Sequence, residues 1–178
     1  MSMHRRAVSL IALAITMAAG GALAETPNLG KPISEADISA WDISIQPDGT
    51  GLPKGSGTSA QGAVIYADKC AACHGDNGKG GGPAAALVDD RPLAGISAAN
   101  KTIKNFWPYA TTVFDFIRRA MPFQSPRSLN DDEAYALTAY ILAQNKLIGE
   151  TETMNAETLP KVKMPNRDNF ILRFPDRI

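Results

Sequence analysis

The sequence is short of the residues that most often carry chemistry. It holds two cysteines and two histidines in 178 residues. One histidine, His4, lies inside a stretch with the features of an export signal, so the exported chain keeps His74 alone. Four Cys or His ligands for a structural zinc are then lacking. An excess of either charge is lacking too, because eighteen Lys plus Arg face eighteen Asp plus Glu. With no basic surplus to neutralise phosphates, nucleic acid is not an expected partner. No stretch alternates apolar and polar residues well enough to read as a strand. No apolar run reaches the ~20 residues of a spanning helix.

What is present is a packed core and abundant punctuation. The 44% hydrophobic content, 15 Gly and 12 Pro describe a loop-rich globular chain of about one domain. Residues 1–24 combine Arg5 and Arg6, an apolar run from Ala7 and a closing Ala22-Leu23-Ala24. That is the pattern of a secretory signal peptide, with the mature chain expected to begin at Glu25 and to carry no membrane span. Loss of Arg5 and Arg6 leaves a small acidic excess.

The expected organisation is an irregular arm over 25–57, a compact helical unit over 58–147 and a second irregular arm over 148–178. Within the first arm, Ser34 caps a short helix to Trp41. Thr58 or Ser59 caps a helix over 60–74, on which Ala63, Ala67, Cys70 and His74 recur at helical spacing. Thr112 and Asp115 resemble a capping box for a helix that stops at Pro122, with Val113, Phe114, Ile117 and Met121 as its stripe. A last helix spans about 131–146, with Asn130 and Glu133 as cap partners and Leu137, Tyr140 and Ile141 on one face. Gly62 and Tyr66 against Leu137 and Tyr140 would let the first and last of these helices cross closely.

Three of the four Cys and His residues fall within Cys70-Ala71-Ala72-Cys73-His74. This C-x-x-C-H pentapeptide is the attachment pattern of c-type haem. Two thiols a turn apart can each add to a haem vinyl group while the adjacent imidazole reaches the iron. A structural disulfide does not require that histidine, and a thioredoxin-like pair expects alternating strands and helices. One covalent haem c is therefore the expected cofactor.

An electron-transferring haem iron needs an axial ligand on each face, and His74 supplies one. A methionine thioether is the available second, which raises the reduction potential. Met121, at a helix end beside Pro122, is the leading choice over Met154, Met164 or an open site. The second ring nitrogen of His74 needs an acceptor that fixes the tautomer. The Pro83 carbonyl is the first candidate and that of Pro92 the second. Trp107 could donate to a haem propionate or fill the core. Arg118 and Arg119 could pair with propionates or a partner, or solvate a helix end.

With Gly62, Tyr66, the Cys70–His74 pentapeptide, Met121-Pro122, Leu137 and Tyr140 in this order, the chain resembles the class I c-type cytochromes. The resemblance implies an all-α fold, a cytochrome c-type helical domain around one covalent haem, in a bacterial periplasm. The run from Trp107 to Phe123 is similar to cytochrome subunits of molybdenum sulfur oxidoreductases, particularly the sulfane dehydrogenase cytochrome of thiosulfate oxidation. Trp41-Asp42, the segment from Pro47 to Pro53 and Met164-Pro165-Asn166-Arg167-Asp168 agree with that family's flanks. The implied partners are a molybdenum-cofactor dehydrogenase subunit and a downstream c-type cytochrome or oxidase. Longer relatives carry a second haem domain, whereas this sequence has a single C-x-x-C-H. Cytochrome subunits of sulfite dehydrogenases share much of the pattern, and a freely diffusing carrier is the further alternative. On either reading the chain is an electron-transfer subunit with no bond-making site of its own.

Overall fold

The computed structural model describes residues 29–92 and 101–170, so the expected signal segment lies outside the described residues. The chain forms two units, the first ending at Trp41 and the second beginning at Asp42. In the first, α1 (Glu35–Trp41) starts at the expected Ser34. The Asp37 N–H donates to Ser34 Oγ at 3.2 Å, and the Ser34 N–H donates to the Asp37 carboxylate at 3.1 Å.

The second unit opens on β1 (Ser56–Thr58), which runs directly into α2 (Ser59–Lys69). Thr58 and Gln61 form a reciprocal capping box, with the Thr58 N–H donating to Gln61 Oε1 at 2.9 Å. The helix expected over 60–74 is broken at Cys70, whose φ of −126° leaves the helical range. A separate turn, α3 (Ala71–His74), follows it. Beyond the loop, α4 (Ile103–Phe106) is capped by Thr102 and Asn105. It was not legible in the sequence because asparagine replaces the usual Glu or Gln of the box.

Helix α5 (Ala110–Ala120) begins before Thr112, so the expected Thr112 cap lies inside it. The Asp115 carboxylate that suggested the cap accepts instead from Arg119 one turn on, at 2.6 Å. Helix α6 (Asp131–Gln144) is capped by Asn130 and Glu133 as the sequence implies. It stops just short of Lys146, which sits in the left-handed region at φ +58°. Strand β2 (Thr153–Asn155) then pairs antiparallel with β1, setting Met154 opposite Gly57. Strands of three residues are too short for an alternating pattern to show.

The fold is mostly helical, and its frame is the crossing of α2 on α6. A Cβ at Gly62 would lie 2.0 Å from the Ala136 carbonyl oxygen, so the two backbones meet only because that side chain is missing. Beside it the Tyr66 and Tyr140 rings stack tilted at 5.0 Å. On the other side α5 contributes Phe114, whose ring lies 4.3 Å from that of Tyr135. With neighbours on several sides, α6 is buried continuously from Ala134 to Ala143. Each large apolar side chain so enclosed stabilises the fold by ~1.5–3 kcal/mol.

The irregular flanks of this unit pack onto it. Tyr135 donates its hydroxyl to the Pro53 carbonyl at 2.9 Å, and Arg119 Nη2 donates to the Ile43 carbonyl at 2.8 Å. Past α6, Met154, Leu159 and Met164 are each buried in the core. Segments 42–57 and 148–170 therefore wrap their own domain.

Candidate functional site

The break at Cys70 places the pentapeptide on a short turn. The Cys73 and His74 N–H groups both donate to the Cys70 carbonyl, at 3.1 and 3.0 Å. The two cysteines are not joined in a disulfide, and both are half-buried. Burial pushes the Cys70 thiol up to about 11, with the charges of Lys69 and Cys73 adding smaller, opposed effects.

His74 Nδ1 lies 3.0 Å from the carbonyl oxygen of Ala85. The sequence pointed to Pro83 for this role, and the difference has a cause in the loop. The Gly80 N–H donates to the His74 carbonyl at 2.8 Å and the Ala84 N–H to the Cys73 carbonyl at 3.1 Å. These bonds fold the segment back so that Ala85, two residues past Pro83, reaches the ring. Gly75 at φ +75° and Gly80 at φ +83° make the reversal possible. Pro83 borders the adjoining cavity instead, and Pro92 is exposed. With Nδ1–H given to Ala85, Nε2 is the imidazole's remaining donor atom.

Two tyrosines pin the loop that follows. Tyr66 donates its hydroxyl to the Gly75 carbonyl at 3.0 Å, and Tyr140 donates to Asn77 Oδ1 at 2.9 Å. Burial pushes the Tyr66 phenol up to about 12, so it remains a donor at any ordinary pH.

A cavity of about 420 Å³ opens beside these groups. Cys70, Cys73, His74, Pro83, Trp107 and Met121 all line it, so the structure brings the leading candidates of the sequence together. Met121 caps α5, its N–H donating to the Ile117 carbonyl at 3.1 Å. Met154 and Met164 are buried in the core and do not border the cavity. Leu87, Ile103, Val113, Ile117, Leu137 and Ile141 make the rest of the wall largely apolar.

Trp107 stacks edge-on against Phe106 at 5.8 Å and tilted against Phe116 at 6.0 Å. Arg118 pairs with Asp131 at 2.8 Å and Arg119 with Asp115, so both guanidinium groups already have protein partners. Ala85, Phe116 and Phe123 were missed by sequence reasoning. The two phenylalanines line the cavity yet stay 46% and 78% exposed, and no local pattern distinguishes such positions from ordinary surface. An apolar cavity offering two thiols a turn apart, one oriented imidazole and one thioether fits a covalently held iron porphyrin.

Residues 59–145 match the cytochrome c family model. A chain of the sulfane dehydrogenase SoxCD from Paracoccus pantotrophus superposes with a TM-score of 0.73 at 38% identity, covering 85% of this chain and 73% of that one. The chain belongs to the cytochrome c family. This cytochrome is also 34% identical over 93 residues to a thiosulfate dehydrogenase of Stutzerimonas stutzeri (strain A1501), a match spanning 50% of this chain and 28% of that protein. It is a class I c-type cytochrome whose cofactor is covalently attached haem c, and it acts as an electron carrier. Among the described residues no helix is long and apolar enough to cross a membrane.

Proposed function

We propose that this cytochrome is the periplasmic, electron-accepting subunit of a molybdenum-dependent sulfur-compound dehydrogenase, acting on sulfane sulfur. The observation that carries this reading is the extent of the SoxCD likeness. It covers 85% of the chain, well beyond the stretch 59–145 that any cytochrome c would share. The thiosulfate dehydrogenase likeness reaches 50% of the chain, so it favours the sulfane reading less.

In this proposal Cys70 and Cys73 would hold the haem by thioether links, each thiol adding across one vinyl group. His74, through Nε2, and Met121, through its sulfur, would hold the iron. When bound, the haem supplies a one-electron iron couple whose potential the His and Met pair sets high. Ala85 keeps the imidazole in one tautomer and orientation, which limits rearrangement between oxidation states. Leu137, Ile141 and Val113 exclude water from the cavity, while Phe116 and Phe123 sit at its open rim. Pro83 and Trp107 close the remaining wall.

Met121→Ala will abolish the six-coordinate spectrum of the haem-loaded protein, whereas Met154→Leu and Met164→Leu will leave it intact. The reverse pattern sinks the ligand assignment. Native purification should bring down a molybdenum protein with one haem per cytochrome chain, reduced by protein-bound sulfane. Reduction by sulfite alone would move the assignment to a sulfite dehydrogenase. A cytochrome purified without any molybdenum protein would make it a diffusing carrier.

A further inference from the structure

Arg118, Arg119 and Arg127 line a second recess of about 260 Å³, bounded also by Leu129, Asn130 and Asp131. Arg118 Nε is bonded to Asp131, and Arg119 is bonded to Asp115 and to the Ile43 carbonyl. A guanidinium carries about five N–H donors, so these bonds leave most of the donors on both residues uncommitted. Arg127 makes no ion pair or hydrogen bond among the described residues. It also holds a φ of +63°, a left-handed conformation that a residue with a Cβ adopts at a cost. Three cations against the carboxylates of Asp131 and Asp115 leave one positive charge uncompensated.

We propose that this recess binds a small tetrahedral oxyanion of the sulfate or phosphate class. Guanidinium groups present their donors as planar forks, which match two oxygens of such an ion at once. The recess, at about 260 Å³, has room for a compact ion with part of its hydration. Leu129 borders both this recess and the haem cavity. A bound anion would therefore lie one side chain from the haem cavity, where its charge would favour the oxidised, more positive state of the cofactor. Occupancy lowers the midpoint potential and couples the redox state to the surrounding oxyanion concentration.

The test uses the haem-loaded mature chain, titrated calorimetrically with sodium sulfate and, at matched ionic strength, with sodium chloride or sodium acetate. Saturable sulfate binding is expected, weakened at least tenfold in Arg127→Gln while the visible spectrum is unchanged. Arg127→Gly, which relieves the backbone conformation, should lose sulfate to the same degree. The midpoint potential should fall on adding sulfate to the wild type and stay fixed in both variants. Equal heats for sulfate and chloride, acetate binding as strong as sulfate, or undiminished binding by Arg127→Gln would each overturn the proposal.

Discussion

The cavity is built by two regions of opposite character. The segment from Cys70 to Ala85 has only short turns of regular structure, yet it is tied to elements outside itself, one of them, α6, far along the chain. Tyr66 and Tyr140 reach it from α2 and α6, and the Leu87 and Val88 N–H groups close it through the Gly78 carbonyl at 2.8 and 2.9 Å. The segment from Met121 to Leu129 is held by near neighbours: Met121 N–H to Ile117, Ser125 N–H to Pro122 and Ser128 N–H to Ser125. Long-range ties fix a group whatever the local chain prefers, whereas local turns can open one at a time. The wall that carries His74 is thereby the more firmly anchored one, and the segment that carries Met121 is the one held by local turns.

The contrast can be broken from the frame outward. Gly62→Val should cost about 3 kcal/mol, because the new side chain meets the Ala136 backbone and forces α2 off α6. Urea unfolding of the haem-loaded protein measures it; a change under about 1 kcal/mol would mean that the crossing is not the frame. Tyr66→Phe removes one buried donor and leaves the Gly75 carbonyl short of a partner, for a loss of about 1 kcal/mol. Amides from Gly75 to Gly80 should then exchange faster, with those after Met121 unaffected.

Acid probes the same anchor more gently. Glu133 is held below its ordinary value of 4.5, first by the Lys69 ammonium at 2.9 Å and then by the Asn130 N–H. Its contribution is fully present above that ordinary value and is lost as pH falls through the lowered folded one. Stability should therefore drop by about 0.5 kcal/mol between roughly pH 5 and 3, a figure kept small by the partial exposure of the pair. Glu133→Gln should flatten this part of the pH curve. The smallest effect is expected at the other face, where Phe123→Ala should change stability by less than about 0.5 kcal/mol because the ring is 78% exposed. A loss as large as that of Tyr66→Phe would erase the asymmetry.

How much of this was legible follows from how far apart the cooperating residues lie. The helix starts at Thr58 and Asn130 were readable because a capping box closes within four residues. The same rule misled at Thr112, since Asp115 had a competing partner one turn away in Arg119. The pentapeptide was readable because its spacing is itself the chemistry. The acceptor for His74 was not: its identity rests on two glycine turns and two loop bonds whose combined path no spacing rule gives. Met121 was favoured from its place at a helix end beside Pro122, whereas the burial of Met154 needed the structure, because the pairing of β2 with β1 carries it into the core.

By itself, the sequence determined the covalent cofactor, the helical class and the starts of α1, α2 and α6, since each depends on residues within a turn or two of one another. Tertiary structure alone decided which carbonyl orients His74, which thioether borders the cavity, and that the flanking segments wrap their own domain. Those outcomes depend on contacts between distant residues. Such contacts follow from burying the apolar faces of α2, α5 and α6 together, and no local pattern encodes them.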